Sequence, residues 1–348
     1  MPHVSTTLRL SRRSALTAGG AVGLGALLAA CGTGGGSAPS ATGGSGSPGA
    51  GSWSFTDDRG KRVTAARTPQ RIVAFTGTAA ALWDLGLRDQ IVGVFGETRL
   101  PGGRPTPLAG NLDVDKVQVI GNAYGEFDVE KYAAVRPDLL VTDMYAANQL
   151  WYVPSRSSAQ ILSLAPTVAI STAWTPITRP IQRHADLAAS LGARANAPQV
   201  TADRSRFQAA AEALRRAAQA NPGVRVMAAS AGTDLFYVSN PKYDADLIYY
   251  SSLGVDFTAP AKLDAGGYYQ GLSWENAGLY RADVILLDSR GTALQPKDLT
   301  GNPAWAALPA VKAGQVIPWD TVPRFSWAGV APDVENLAGA LRRAKRLG

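Results

Sequence analysis

Glu130 and Glu275 occupy matching places in two similar stretches of this 348-residue chain, FDVEKYAAVRPDLLVTD and LSWENAGLYRADVILLD. Each glutamate comes two residues after a side chain suited to cap a helix, Asp128 or Ser273. At equal distances there follow an aspartate that opens an apolar run and one that closes it: Asp138 and Asp143 in the first stretch, Asp283 and Asp288 in the second. A carboxylate in a first helical turn gains about 0.3–1 kcal/mol from the macrodipole, which is a sufficient structural account. The same carboxylate, repeated once per half of the chain, is also a charged anchor for a partner surface.

A second set of side chains suits the holding of an organic ligand. Arg99 and Arg104 lie in the Gly/Pro-rich run ETRLPGGRPTP, Tyr145, Trp151 and Tyr152 follow the apolar run that ends at Asp143, and Trp174 follows TVAIS. Further on, Tyr237 and Asn240 flank YVSNP, Tyr268 and Tyr269 stand in AGGYYQG, and Arg290 follows VILLD. Trp319, Arg324, Phe325 and Trp327 occupy PWDTVPRFSWAG. A guanidinium donates to partly negative oxygens, stacks on rings and keeps its charge. Aromatic faces cover an organic skeleton at low entropic cost. Arg99, Tyr145, Trp151, Trp174, Tyr237, Tyr268, Tyr269, Arg290, Trp319, Arg324 and Trp327 are therefore the candidate ligand contacts, although a loop tryptophan serves equally well to plug a core.

These loops need a scaffold that gathers them. RIVAF (71–75) and IVGVF (91–95) are short apolar runs on either side of AALWDLGL, whose spacing is helical. Residues 128–137 read as a helix stopped by Pro137, followed by a strand over 138–143, a helix over 159–164 and a strand over 167–171. Such alternation means a parallel α/β sheet. Residues 178–192 and 200–221 are helical, the second with Val200, Phe207, Ala211, Leu214 and Ala218 on one stripe. The alternation then restarts, with strands expected at 224–230, 235–239, 255–259, 283–288 and 315–319 and a helix closing the chain. The expected fold class is α/β: two Rossmann-like lobes joined by a single long α-helix, with the ligand cleft between the lobes at the carboxyl ends of their strands. The boundaries are 53–175 for the N-terminal lobe, 176–222 for the connecting helical segment and 223–348 for the C-terminal lobe.

Much chemistry is excluded by the near-absence of histidine, for the chain holds only His3 and His184. Ser-His-Asp, Cys-His and multi-histidine metal sites need more. His184 lies on a helical pattern and is expected at the surface or partly packed. Two carboxylates suffice for glycoside hydrolysis, but no pair is marked out. A G-x-S-x-G match in GGSGSPG falls in a glycine-rich run, not on a strand–turn–helix. A secreted hydrolase is the outside alternative, and no catalytic residue is assigned. Adjacent tyrosines can bind bare ferric iron; Tyr249-Tyr250 lies in a helix-and-core pattern, and Tyr268-Tyr269 lacks an obvious carboxylate or histidine partner. No direct metal ligand is assigned.

The start of the chain is basic, with Arg9, Arg12 and Arg13 and no acid, and residues 15–30 are small or apolar. That run is shorter than the roughly 20 apolar residues of a membrane span, so residues 1–30 read as an export signal. Leu28-Ala29-Ala30-Cys31 resembles the bacterial lipobox, which implies cleavage before Cys31, the chain's one cysteine, and lipid on it. Residues 11–16 are similar to a twin-arginine signal, but Ala15 stands where the usual aromatic would, so that route and general export both stay open. Residues 32–52 are almost wholly Gly, Ser, Ala, Thr and Pro. Such a chain cannot fold and makes a tether with a reach of about 25 Å, so that 31–52 is lipidated cysteine and linker. Loss of the signal lowers the net charge from +7 to about +4. No basic stripe for nucleic acid stands out apart from LRRAKR in the last helix, and no nucleic-acid partner is expected.

RIVAF, EKYAAVRPDLLV, LSWENAGLYRADVILLD and WAALPAVKAGQV together resemble the class III periplasmic binding proteins, the receptors of ABC importers for ferric siderophores and cobalamin. The resemblance covers about residues 60–347. It implies a membrane-anchored extracytoplasmic monomer that captures a ferric siderophore, hydroxamate type favoured, and delivers it to an ABC transporter permease dimer. Iron would arrive chelated, with no cofactor of the protein's own. Glu130 and Glu275 match the family's glutamates that pair with permease arginines. Cobalamin, heme and bare ferric iron remain alternative ligands for the same architecture. A helical connection between lobes implies modest closure.

Overall fold

The structure, a computed structural model, describes residues 51–347; the expected signal segment 1–30, Cys31 and the tether as far as residue 50 lie outside the described residues. The chain enters through a hairpin absent from the sequence reading, β1 (Trp53–Thr56) and β2 (Arg62–Ala65). Apolar runs then build the first sheet. Its strands are β3 (Ile72–Phe75), β4 (Ile91–Phe95), β5 (Gln118–Gly121), β6 (Leu139–Met144) and β7 (Thr167–Ser171), all parallel, in the order β5-β4-β3-β6-β7. Helices α1 (Thr76–Asp84), α2 (Val129–Ala134) and α3 (Ser158–Leu164) make the crossovers. Every residue of β3 and β6 is buried, as strands covered on both faces require.

Helices α4 (Thr178–Ser190) and α5 (Pro198–Ala220) lead to the second sheet. Its strands are β8 (Arg225–Ala231), β9 (Leu235–Ser239), β10 (Asp256–Phe257), β11 (Tyr269–Ser273), β12 (Val284–Asp288) and β13 (Val316–Trp319). The order β11-β9-β8-β12-β13 mixes antiparallel pairs at β9 with parallel ones at β12. Helices α6 (Ala245–Ser252), α7 (Pro303–Ala307), α8 (Pro309–Lys312) and α9 (Trp327–Arg343) complete it.

The repeated stretch has a shared structural job that its spacing did not announce. Asp138 accepts the backbone N–H of Arg71 at 2.8 Å and donates its own N–H to the Arg71 carbonyl at 2.9 Å. Asp283 does the same with Arg225, at 2.7 and 2.8 Å. Each carboxylate thus clamps the start of its own strand to the neighbouring one, which fixes register where a slip would turn every core side chain outward. The expected helix after Ser273 is only a 3₁₀ turn, Trp274–Asn276. Ser273 caps nothing; its hydroxyl accepts from the Asn276 side chain at 3.0 Å. The expected strand at 255–259 shrinks to the two residues of β10.

The lobes share a core. Ile72, Leu82 and Val141 of the first lobe belong to one apolar cluster with Phe207 and Leu214 of α5 and Leu286 and Val334 of the second. Two polar ties reinforce it. Ser326, the N-cap of α9, accepts from Gly329 N–H at 2.9 Å and donates to Asp84 at the end of α1 at 2.6 Å. Trp174 N–H donates to the Tyr243 carbonyl at 2.8 Å and Ile177 N–H to that of Ala245 at 2.8 Å. Large opening would expose shared apolar surface and break these bonds.

His184 corrects the sequence reading: it is fully buried on α4, not at the surface. Its Nδ1 lies 2.7 Å from the Pro180 carbonyl and its Nε2 3.1 Å from Asp143, and Phe325 stacks on the ring at 5.8 Å. A carbonyl only accepts, so Nδ1 donates to Pro180, and Nε2 faces the buried Asp143 carboxylate. A lone histidine can therefore be deeply buried, because the aspartate that closes β6 is buried beside it.

Candidate functional site

Two adjoining cavities open where the strand ends of the two sheets meet. The larger, of about 440 Å³, is lined by Tyr145, Gln149 and Trp151 of the first lobe and by Ser230, Tyr237, Tyr243, Asp244, Tyr268, Tyr269, Asp288, Arg290 and Trp319 of the second. The smaller, of about 230 Å³, lies between Glu97, Arg99, Asn122, Trp151 and Tyr152 on one side and Arg290 and Asp320 on the other. Trp151, Arg290 and Val322 border both.

Local structure explains how these side chains are presented. Gly96, at φ +96°, turns the chain sharply after β4; a Cβ there would lie 2.5 Å from Phe75, so only glycine lets the loop deliver Glu97. Tyr152 is held in the left-handed region at φ +61°, a conformation costly for an aromatic residue. Its hydroxyl donates to Glu97 at 3.0 Å, and burial followed by the Glu97 charge raises its pKa, so it stays a donor. Trp151 packs edgewise between Tyr145 at 4.8 Å and Tyr152 at 5.4 Å. In the second lobe Tyr237 meets Tyr269 at 4.9 Å across β9 and β11, and Tyr243 meets Tyr268 at 4.4 Å. The Tyr243 hydroxyl crosses to the Tyr145 carbonyl at 2.8 Å.

The cavity walls are more acidic than the sequence reading supposed. Arg290 closes on Asp288 with Nε at 3.0 Å and Nη2 at 2.7 Å, while Ser230 donates to the same carboxylate at 2.9 Å. Arg99 is tied to Asp115 and to the carbonyls of Gly103 and Val114. Asp244 is pushed well above the usual carboxylate range by burial and then by the charge of Asp246. Asp320 is raised too, by burial first, with the Val322 N–H working against it.

Of the eleven candidate contacts, the structure gathers Tyr145, Trp151, Tyr237, Tyr268, Tyr269, Arg290 and Trp319 around the larger cavity and Arg99 at the smaller. Three lie elsewhere. Trp327, 8% exposed, opens α9 and packs on Phe207 of α5 at 5.1 Å, where the long helices need an apolar filler. Arg324 donates to the Pro107 carbonyl at 2.9 Å and stands 3.6 Å from Asp84, bracing one lobe against the other. Trp174 is 55% exposed outside both cavities and packs on Tyr243, at 5.1 Å, and beside Gly267 in the loop that carries Tyr268. Asn240, at the end of β9, holds the loop that carries Tyr268 by donating to the Gly267 carbonyl at 2.8 Å. Phe325 is buried against His184.

Sequence reasoning did not select Glu97, Tyr243, Asp244, Asp288, Asp320 or the exposed Tyr124, whose ring meets Tyr152 at 5.4 Å. A search for acids at strand ends would have found Glu97, Asp288 and Asp320; Tyr124 follows β5, a strand too short and polar to announce itself. Of the tyrosine pairs, Tyr250 is a buried core residue of α6 and Tyr249 stacks on Phe207 at 5.5 Å. Among the described residues, no group of three or more His, Cys, Asp or Glu side chains converges as a metal site.

Edge-strand topology positions the two glutamates. Glu130 opens α2 just beyond β5, the edge of the first sheet, and Glu275 stands just beyond β11, the edge of the second. β11 ends level with the end of β8, through Phe236, so both glutamates lie at the strand ends that face the cleft. Both are exposed. Hydrogen bonds from its own N–H and from Ser273 lower the Glu275 pKa and keep it charged.

Two parallel-cored sheets around a shared helix pair, with an aromatic cleft between them, define a bilobed solute receptor. The chain belongs to the periplasmic binding protein family, whose sequence pattern matches residues 72–323. DesE, a ferric-siderophore receptor protein from Streptomyces coelicolor, is 47% identical with a TM-score of 0.81, over 85% of this chain and 100% of that one. The petrobactin-binding protein YclQ from Bacillus subtilis is 19% identical with a TM-score of 0.62, over 84% and 99% of the two chains. The catecholate-siderophore binding protein VctP from Vibrio cholerae is 18% identical with a TM-score of 0.58, over 84% and 99%. The last two establish likeness of fold alone. No curated protein matches the chain.

Proposed function

We propose that the protein is an extracytoplasmic receptor that captures a ferric siderophore, of hydroxamate type, in the cleft between its lobes and delivers it to an ABC transporter permease. The observation that carries the reading is the aromatic cleft built around Trp151, Tyr237 and the Asp288-held Arg290, in a chain 47% identical to a ferric-siderophore receptor over that receptor's whole length. Rings cover the organic skeleton of a chelate, and an oriented guanidinium donates to its metal-bound oxygens. No bond is made or broken, and iron enters as part of the ligand, so no catalytic residue or resident cofactor is called for.

The rest of the reading extends from this. Residues 1–30 direct export, lipid on Cys31 anchors the chain outside the cytoplasm, and residues 31–52 tether a monomeric receptor. No helix among the described residues is long and apolar enough to cross a membrane. Glu130 and Glu275, one at the cleft-side edge of each sheet, register the body on a two-subunit permease through arginines.

Tryptophan fluorescence of the protein titrated with a ferric trihydroxamate, its iron-free form, cobalamin, heme and ferric citrate tests the ligand. Strong one-to-one quenching by the ferric trihydroxamate is expected; a clear preference for any of the others would replace it. Replacing both glutamates by alanine should cut uptake at least about tenfold with binding unchanged. Lost binding would show that these glutamates serve the cleft instead.

A further inference from the structure

We propose that the smaller cavity is a subsite for a cationic arm of the ligand, an ammonium held between Glu97 of the first lobe and Asp320 of the second. The inference rests on the siderophore reading above. It narrows that reading to ferric complexes that are uncharged around the metal and positive at one end.

The argument starts from charge. Arg99 and Arg290 are the only cationic side chains in the walls of the two cavities among the described residues, and each already faces a carboxylate, Asp115 or Asp288. Glu97 and Asp320 form no such contact pair, although the charge of Arg290 reaches both and that of Arg324 reaches Asp320. Glu97 accepts only from the Tyr152 hydroxyl, at 3.0 Å, and Asp320 from the Val322 N–H, at 3.1 Å; neither forms an ion pair among the described residues. Ferric iron wrapped by three hydroxamates is neutral, because each contributes one negative charge. Three catecholates would leave a charge of about −3 facing these carboxylates, with both wall arginines already paired, which is unfavourable in a partly desolvated cleft.

One further feature suits a ligand here. The walls of the smaller cavity away from the carboxylates are apolar, with Phe75, Pro107, Leu108 and Val322, and suit a methylene arm. Since one carboxylate comes from each lobe, a cation between them also draws the lobes together.

The test uses two probes on the full protein: the ferric complex of a linear trihydroxamate that ends in a primary amine, and the same complex with that amine acetylated. The amine form should bind about tenfold more tightly at low salt, and the preference should shrink as salt rises. In Glu97→Gln and Asp320→Asn the preference should fall toward one. Equal binding of both probes by the wild type, or a preference that persists undiminished in both variants, overturns the subsite. Binding of a ferric tricatecholate more tightly than of either probe overturns it too while leaving the siderophore reading in place. Failure of every ferric chelate to bind overturns the siderophore reading itself.

Discussion

The two lobes end an inner strand in the same way and use that ending differently. In the first, Asp143 near the end of β6 turns inward and meets His184, and both are buried. In the second, Asp288 at the end of β12 is equally buried, but its partner Arg290 is partly exposed and borders both cavities. One aspartate anchors a helix to its sheet; its counterpart aims a guanidinium at the cleft. The clamping aspartates earlier in the motif, Asp138 and Asp283, keep a single role in both lobes. A duplicated unit can thus hold its strand-starting half constant while the strand-ending half, which faces the cleft, takes on binding.

The sharpest way to break this comparison is His184→Leu. It leaves Asp143 as a buried carboxylate without a partner and should cost about 3–5 kcal/mol in denaturant unfolding, while ligand affinity of the folded fraction changes little. A mild stability loss with a large affinity loss would mean that His184 serves the cleft. Asp283→Ala strands the N–H groups of Arg225 and Leu347 and should cost about 2–3 kcal/mol, with Asp138→Ala, a more exposed clamp, costing less. Equal and negligible costs would remove the shared role. Arg290→Ala should weaken ligand binding about tenfold to a hundredfold by fluorescence titration; unchanged affinity would reduce Arg290 to a structural partner like His184.

A smaller effect concerns pH. Asp333 on α9 is pushed up to about 8 by burial, then by the charges of Asp320 and Asp246. An acid raised in the folded state keeps its proton after the unfolded chain has lost it. Its contribution is therefore complete below the ordinary carboxylate pKa of 3.8 and drains away as the pH climbs toward 8. Asp333→Asn should raise Tm at pH 8 by about 2–4 °C and do less at pH 5. The opposite ordering would contradict the burial argument.

Much of this was legible in residues. The fully buried strands β3, β6 and β12 read clearly because parallel strands covered on both faces are unbroken apolar runs. Arg290 and Trp151 were found by looking past β12 and β6, and Tyr237 within the half-buried strand β9. The edge strands β5 and β11 were not, because an edge needs only half its side chains buried and Gly271 interrupts the second. Trp327 and Arg324 looked like cleft residues from their loop but serve the helix pair and the lobe junction, since chain position alone does not say which way a side chain turns. The acids of the cleft escaped for a related reason: a carboxylate near an arginine in sequence reads as its partner, and only three dimensions show that Glu97 and Asp320 form no ion pair among the described residues.

The most direct test of the central claim is a crystal structure of the protein with a ferric trihydroxamate bound. The complex should lie between the lobes, with the iron-bound oxygens near Arg290, the organic skeleton against Trp151 and Tyr237, and the lobes rotated by no more than a few degrees. A ligand seated outside the two cavities, or a wide domain rotation that separates Asp84 from Ser326, would contradict it.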